Sequence, residues 1–546
     1  MSKASRVSLL DSQPTSHKLK GIGSGHITVL AAVISAGCAA SAAAILALWT
    51  SLGCWAYCLG AWLLVEAAFY FLQCWRYRHA SKAAVENAHV DPAFRAVMED
   101  RMLELGTHFG IEDFFSGWFR DAPFETIRKG NVEDFIAYGF CAKPADALSA
   151  EDRERGQALI RRIEDTFAMR FPEGRNPDLR FMAHLWEPLR WIHSPLAVYV
   201  AAEGLWMASS LLLRALGFRP FKHSSGIKYW IWSPLAVRQA AARAVASPTS
   251  VARTTSSELV FKHGASLSAA AGPPVPPSVF LPQALGPAPV EAEADAPDSS
   301  REHASVPRQL LRHIMRRPSL DFKTPYLQFI HELTCAFRTR PIVLLEGRHV
   351  SVCLSRQSLC SDDMATAVRD ILHQHGWAQA AFIGHSYGTF VLSGIAQIHK
   401  PIIQSMVLID PVCLLTIYPQ LLRNFLYKVP TMLSFSSLLG VIDWMRYLFS
   451  RDLLIAESFC RKLVWHRECL WPQDLPQHCL LVLEAEDDLV PSKLARTMLH
   501  KMKHPCDVLF HPTAGHGGFI LDTKWRQQIL AQVETVIANG AEGACK

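Results

Sequence analysis

Three kinds of side chain in the C-terminal part of the chain could together perform nucleophilic chemistry. Ser386 stands at the centre of the pentapeptide Gly-His-Ser-Tyr-Gly at 384–388, after the apolar run Ala380–Ile383 and before a helical pattern. A serine on a sharp turn between a strand and a helix is exposed for attack, and glycines two places on either side avoid clashes there. We therefore predict Ser386 to be a nucleophile.

A serine hydroxyl is a weak nucleophile at neutral pH, so a histidine must take its proton. His516 lies in Gly515-His516-Gly517-Gly518, directly after the last short strand pattern, Val508–Phe510. This predicts a histidine on a flexible, glycine-rich loop that acts as the base. His511 is the alternative, and its position favours a surface residue.

A carboxylate must orient that histidine, and Asp487 follows the buried-strand pattern Cys479–Leu483. Asp487 is the predicted acid. Its alternatives are its neighbour Asp488 and Asp410, which follows the preceding strand pattern. His385, beside the serine, is predicted to pack beneath the turn instead of taking part in the chemistry.

These residues lie in a part of the chain where short β-rich runs alternate with helical patterns. The runs and patterns cover 341–346, 363–375, 380–383, 389–399 and 405–410. Such alternation predicts an α/β fold with a mostly parallel sheet and helices on both faces. In such a sheet the carboxyl ends of the strands meet at one edge, where the candidate residues would come together.

Residues from about 320 to 540 resemble the α/β-hydrolase superfamily. The pattern D-x-[IL]-[VI]-P, common in that family after the acid-bearing strand, matches 487–491, and Gly-His-Gly matches 515–517. The resemblance implies the α/β-hydrolase fold, the chain order Ser386, Asp487, His516, and a hydrolase domain that we place at 258–540.

The same resemblance implies an oxyanion hole made of two backbone N–H groups. Tyr387 supplies the first by its position after the nucleophile. Leu259–Gly264 is similar to the strand and His-Gly that carry the second, which implies Gly264 as the donor. Gly347, after the strand pattern Ile342–Leu345, is the rival.

Residues 412–475, between two strand patterns, occupy the usual place of a lid and are rich in Leu, Phe, Trp and Tyr. An apolar lid fits a hydrophobic acyl substrate and a site that opens at a membrane. With Gly117–Phe119, 408–412 and 465–471, the whole chain also resembles membrane-anchored α/β-hydrolase proteins of fungi and protists, whose function is mostly unassigned.

The N-terminal part is predicted to hold the membrane anchor. After a tail, 1–26, that we expect to be disordered, apolar runs at 27–49 and 54–75 form a transmembrane hairpin within 27–76. Basic residues flank the hairpin on both sides, so the positive-inside rule puts both ends in the cytosol. An endomembrane is favoured, with an organelle membrane as the alternative.

Between the hairpin and the hydrolase domain, residues 77–250 are predicted to be mostly helical. A third apolar segment, 195–218, contains Glu203 and Arg214, which favours an interfacial or buried helix over a spanning one. Residues 265–307 are rich in Ala and Pro and are predicted to form a disordered insertion.

Composition narrows the class of protein. Of 546 residues, 50% are hydrophobic and 19% charged, which excludes a mainly disordered chain, and a net charge of +6 is too dilute for a nucleic-acid binder. The 14 cysteines form no C-x-x-C pair, so no zinc site is indicated and a reducing compartment is favoured.

Together these observations predict a membrane-anchored serine hydrolase that cleaves carboxylic esters, above all lipid esters, without a metal or organic cofactor. Its expected partners are the lipid bilayer and a hydrophobic acyl substrate. A thioesterase or an acyltransferase could use the same triad, and a catalytically silent membrane scaffold is the alternative from another class.

Overall fold

The computed structural model describes residues 35–37, 41, 54–82, 91–234, 278–282, 326–355, 358–431 and 438–543. The chain divides into two compact units, Met1–Arg76 and Tyr77–Lys546. The predicted tail, most of the first hairpin helix and Leu259–Gly264 lie outside the described residues.

Helix α1, Cys54–Lys82, is 29 residues long and begins in the first unit. Within Tyr57–Lys82, an 18-residue window has a mean hydropathy of 1.4, and only 11% of that window is buried. Helix α6, Leu196–Ala215 in the second unit, contains an 18-residue window with a mean hydropathy of 1.6. By length and composition, these two among the described helices could cross a membrane.

The second unit contains the remaining helices. They are α2 Pro92–Gly106, α3 Ile111–Trp118, α4 Lys129–Ile136, α5 Ala150–Thr166, α6, α7 Leu327–Ala336, α8 Ser361–Gln374, α9 Gly388–Ile398, α10 Gln420–Leu422, α11 Leu438–Phe449, α12 Leu453–Glu457, α13 Trp465–Glu468, α14 Ser492–Lys501 and α15 Thr523–Gly543. Wider π-helical turns follow three of the elements, at Ala137–Cys141, Arg423–Tyr427 and Ser458–Lys462.

Eight strands form one sheet in the order β1-β2-β4-β3-β5-β6-β7-β8. They are β1 Arg219–Lys222, β2 Lys228–Trp232, β3 Ser278–Pro282, β4 Ile342–Leu345, β5 Ala380–His385, β6 Ile403–Ile409, β7 Cys479–Glu484 and β8 Asp507–His511. Strands β5 to β8 are parallel, as the alternating pattern predicts, and the other neighbouring pairs are antiparallel.

Two boundaries predicted from the sequence are wrong. The sheet begins at Arg219, well before 258, because the hairpin of β1 and β2 pairs with β4 and so belongs to the hydrolase sheet. Strand β3 lies inside the stretch 265–307 expected to be disordered. Its residues Val279, Phe280 and Leu281 favour extended backbone, and β3 pairs with both β4 and β5.

The core follows the two faces of the sheet. Alternate residues of the central strands pack on α8, α9 and α14 on one face and on α7 and α15 on the other. Because β5, β6 and β7 are covered on both faces, every residue of β5 and β7 is buried. The buried sheet thus holds the carboxyl ends of its strands in fixed positions.

The helical region packs on the lid and is not a separate domain. The indole N–H of Trp118 donates to the Ile417 carbonyl at 2.9 Å, and that of Trp465 donates to the Gly139 carbonyl at 2.8 Å. The lid itself is closed at its base, where the Leu470 N–H donates to the Cys413 carbonyl at 2.9 Å. Residues 77–546 accordingly form one compact unit.

Candidate active site

Ser386 occupies a sharp turn between β5 and α9. Its φ of +50° lies in the left-handed region, which is strained for a residue with a side chain. The turn is fixed by the Ser386 N–H, which donates to the Ile409 carbonyl at 3.1 Å. A Cβ on Gly384 would lie 2.8 Å from Leu392 Cδ1, so only glycine lets α9 approach the strand this closely.

The structure brings Ser386, His516 and Asp487 together in one hydrogen-bonded row. His516 Nε2 lies 2.8 Å from Ser386 Oγ, and His516 Nδ1 lies 2.8 Å from Asp487 Oδ2. An ionised carboxylate only accepts hydrogen bonds, so Nδ1 carries the proton and Nε2 is free to accept the serine proton. The other Asp487 oxygen accepts the N–H groups of Leu489 and Val490 at 2.7 and 2.9 Å.

The alternative acids and base lie elsewhere. Asp488 forms an ion pair with Arg446 of α11. His511 is half-buried on β8, where its ring accepts the N–H groups of Thr513 and Ala514, so it is not the surface residue that its position suggested. Asp410 is buried at the end of β6 beside the row but makes no hydrogen bond to the His516 ring in the described structure.

Two buried carboxylates hold the loop that carries His516. Asp410 Oδ2 accepts the Gly517 N–H at 2.7 Å, and Glu484 accepts the Gly518 and Phe519 N–H groups at 2.8 and 3.0 Å. These three hydrogen bonds anchor the backbone of the loop expected to be flexible. Gly517 has a φ of +76°, and a Cβ on Gly518 would lie 2.9 Å from Glu484 Oε2, so these glycines serve backbone conformation and close approach.

The charges around the row shift its pKa values. Burial alone would lower the pKa of His516, but the charge and hydrogen bond of Asp487, with Asp410 and Asp488 nearby, raise it to about 9. Burial would raise the pKa of Asp487, but the His516 charge and hydrogen bonds keep it below its ordinary value. Burial raises the pKa of Asp410 to about 7.

Three further contacts escaped the sequence analysis. Tyr326 Oη lies 2.6 Å from His385 Nδ1, and His385 Nε2 lies 3.3 Å from Asp410 Oδ2. His385 is buried beneath the turn, and burial holds its pKa well below the ordinary value. His349 Nε2 lies 3.0 Å from Tyr387 Oη and so fixes the residue after the nucleophile. No spacing motif marks Tyr326 or His349, because their partners are distant in the chain.

The candidate oxyanion donors are only partly brought to the site. Tyr387 precedes α9, and its backbone N–H donates to no acceptor among the described residues, so it is available to a ligand. Gly264 lies outside the described residues. Gly347 follows β4, which β3 separates from β5, and Val350 is the residue of that loop that lines the cavity at Ser386.

Asp410, Asp487 and His516 lie close enough for a metal ion, with one ligand atom from each residue within 4.8 Å of the others. In this arrangement both ring nitrogens of His516 are already hydrogen-bonded, Nδ1 to Asp487 and Nε2 to Ser386. A metal would have to displace one of these partners, so the geometry favours acid–base use of the histidine.

A cavity of about 450 Å³ opens at Ser386 and His516. Its walls are almost entirely apolar and come mainly from the lid, the β5–α9 turn and the His516 loop. The wall residues besides these two are Tyr326, Val350, His385, Tyr387, Phe390, Val412, Leu421, Phe425, Phe449, Phe459, Leu489, Gly517, Ile520 and Leu521. This volume is typical of small-molecule sites. A second cavity, in the helical region, measures only about 70 Å³.

Comparison with known proteins identifies the fold. Residues 335–492 match the family model of the alpha/beta hydrolase fold, which assigns that fold to this part of the chain. No curated protein matches the chain. The narrower resemblance to membrane-anchored fungal and protist proteins is not shown by these findings.

Solved structures similar to the chain include an esterase and two hydrolases. A thermophilic esterase from Thermogutta terrifontis is 15% identical, over 38% of this chain and 84% of its own, with a TM-score of 0.28. The meta-cleavage product hydrolase of Pseudomonas fluorescens IP01 is 14% identical, over 36% and 82%, with a TM-score of 0.27. A hydrolase from Pseudomonas aeruginosa PA01 is 13% identical, over 38% and 83%, with a TM-score of 0.27.

Proposed function

We propose that the protein is a membrane-anchored serine hydrolase that cleaves carboxylic esters with an apolar acyl group, lipid esters above all. One observation carries the proposal: the hydrogen-bonded row of Ser386, His516 and Asp487 stands at the end of an apolar cavity. A strained serine, a base and an orienting acid are the parts that acyl transfer needs.

In the proposed reaction, Ser386 Oγ attacks the ester carbonyl while His516 Nε2 accepts its proton. Asp487 holds the imidazole orientation and stabilises the imidazolium that forms. The Tyr387 N–H donates to the developing oxyanion. The tetrahedral intermediate then collapses, and His516 returns the proton to the leaving alcohol. Water, activated by His516, attacks the acyl-enzyme and releases the carboxylic acid and the free serine.

The cavity supports an apolar acyl group as the substrate part that binds. Phe425, Phe459 and Leu421 of the lid line it, and its polar groups are almost confined to the reacting residues and their neighbours. An acyl chain gains free energy by leaving water for such walls, whereas a charged chain would lose its hydration. Helix α1 supports the membrane anchor by its length and exposed apolar side chains.

The proposal is tested with the purified full-length chain and p-nitrophenyl esters of increasing acyl length. We expect kcat/KM to rise with acyl length while the cavity fills. Ser386→Ala should abolish turnover, whereas Ser393→Ala, which replaces a buried serine on the same helix as the turn, should leave it measurable. Equal turnover by wild type and Ser386→Ala would contradict Ser386 as the nucleophile, and wild-type turnover no greater than the uncatalysed background would leave a scaffold as the function.

A further inference from the structure

We propose that the second unit docks on the lipid bilayer through an apolar surface at the mouth of the cavity, formed by the outer faces of α6 and α11. We call it the docking face and define it by six exposed side chains: Val200, Met207 and Leu211 of α6, and Ile442, Met445 and Leu448 of α11. The inference deepens the proposed function, because it says from where a lipid substrate would enter, but its first test does not depend on catalysis.

Helix α6 has one face on the protein and one apolar face outside. Tyr199, Ser209, Ser210 and Leu213 are buried on the inner side, near both ends of the helix. Only 22% of the apolar 18-residue stretch of α6 is buried. Met207 and Leu211 are 61% and 63% exposed. A helix attached to the protein along its length fits an orientation in the membrane interface, where its outer face enters the lipid.

The charges of α6 agree with this orientation. Glu203 faces the protein, where it lies 3.8 Å from Arg348. The exposed cations Arg214, Arg219 and Lys222 follow one another from the last turn of α6 into β1, and none of them forms an ion pair with a described residue. Such cations suit anionic lipid headgroups beside an apolar face.

The lid helix α11 continues the apolar face to the cavity. Ile442, Met445 and Leu448 recur every three residues and therefore share one side of the helix. Phe449, on the same side, is 37% exposed and also lines the cavity. Leu521, from the segment after the His516 loop, also lines the cavity and is 89% exposed, so two separate elements contribute exposed apolar residues to the cavity.

The two helices are tied together at one end. The Tyr199 hydroxyl in the first turn of α6 donates to Asp452 Oδ2 at 2.7 Å, and Asp452 follows α11 by three residues. The N–H of Ile192, just before α6, donates to the Arg451 carbonyl at 3.0 Å. The beginning of α6 and the end of α11 are therefore neighbours, and Phe449 at the end of α11 lines the cavity.

A bilayer is the occupant that these features favour. The outer face of α6 is long and apolar enough for hydrocarbon, the cations at its end form no ion pair with the described part of the chain, and Phe449 of α11 lines the apolar cavity. A protein partner or a second copy would also cover apolar residues, but it would close the mouth through which substrate must enter. Lipid covers the face and supplies an acyl chain at the same time.

The first test uses photo-crosslinking in the full-length chain reconstituted in phosphatidylcholine and phosphatidylserine vesicles. A photoreactive benzoylphenylalanine replaces Met445 or Leu211, and in the control it replaces Ile398, which is 50% exposed at the end of α9. We expect several-fold more lipid adduct at the first two positions than at the control. Adduct no greater than the control, or crosslinks to a second copy, would overturn the proposal.

The second test separates docking from chemistry. Met445→Asp with Leu448→Asp should lower the hydrolysis of an ester embedded in vesicles by about tenfold, since charges on the face oppose insertion. Turnover of a soluble short-chain ester should stay unchanged, because neither residue lines the cavity. Ile398→Asp is the control. Equal losses on both substrates would overturn docking, whereas no turnover of either substrate by wild type would contradict the proposed function and leave the crosslinking result standing.

Discussion

Asp487 and Asp488 are neighbours in the chain but face different partners, His516 and Arg446. Asp487→Asn should therefore lower kcat for ester hydrolysis by about ten-thousandfold, because an amide leaves the imidazole in the wrong tautomer. Asp488→Asn is the matched control and should retain most of the activity. Steady-state kinetics of both variants measures these losses. A larger loss of kcat in Asp488→Asn than in Asp487→Asn would show that Asp487 is not the acid.

The effect of the Asp410 charge on His516 can be tested through the pH dependence of activity. His516 must be neutral to accept the serine proton, so activity should fall as the pH falls through its pKa of about 9. Asp410 contributes to this raised pKa, and Asp410→Asn removes the charge while an amide oxygen can still accept the Gly517 N–H. The acidic limb of the kcat/KM profile should then move to lower pH.

The control for that profile is Glu486→Gln, which removes an exposed carboxylate that pairs with Lys493 and does not contribute to the His516 pKa. Its acidic limb should coincide with that of wild type. A limb that stays in place in Asp410→Asn would show that Asp410 acts only on the conformation of the loop.

For single residues, the sequence indicates the side chains that react but not the side chains that hold them in position. Ser386 is marked by its glycines and strand, and His516 and Asp487 by the loops after strands, because these patterns are local. Glu484 and Tyr326 act through partners distant in the chain, and local patterns carry no such information.

Among the elements, the β5–α9 turn depends on Gly384. In Gly384→Ala the new methyl would meet Leu392 at 2.8 Å and the Gly388 carbonyl at 3.1 Å, so we expect a loss of about 1–3 kcal/mol by overpacking. Thermal unfolding measures the loss. The double variant with Leu392→Ala should cost less than the sum of the single changes, because the shortened side chain makes room.

Gly156→Ala is the matched control for that turn. Gly156 lies inside α5, and a Cβ there would meet Ile136 at an ordinary 3.7 Å. Since alanine favours helix over glycine, the melting temperature should stay equal or rise. A loss equal to that of Gly384→Ala would mean that the turn is not the source of the strain.

The elements themselves are predictable where the pattern is periodic. Parallel strands with covering helices follow from the alternating runs between 341 and 410. The hairpin of β1 and β2 is missed because it follows an apolar helix and is only four and five residues long. Strand β3 is missed because a five-residue strand in an Ala/Pro-rich stretch has pairing partners far along the chain.

In the molecule as a whole, the helical region and the hydrolase sheet belong to one compact unit. Trp118→Phe removes the indole donor to the Ile417 carbonyl and should destabilise the second unit by about 1–3 kcal/mol. Thermal unfolding and loss of esterase activity should shift together, because the lid and the helical region unfold as one. Trp186→Phe, at a partly exposed tryptophan, is the control and should shift neither.

If unfolding of the helical region preceded loss of activity, the two parts would be separate domains, as the boundary predicted at 250 implies. That boundary separates the predicted helical region, 77–250, from the predicted hydrolase domain, 258–540, whereas contacts such as Trp118 with Ile417 join residues that are distant in sequence. Composition thus predicts the anchor and the lid, but tertiary contacts decide how many units the chain forms.

The central claim is that Ser386 is an activated nucleophile. It is tested most directly by treating the detergent-solubilised full-length protein with a fluorophosphonate probe and mapping the adduct by mass spectrometry, beside Ser386→Ala and His516→Ala. We predict one adduct on Ser386 in the wild type and none in either variant, because only a serine activated by its base reacts. No adduct on well-folded wild-type protein, or an adduct that persists in His516→Ala, would contradict the account.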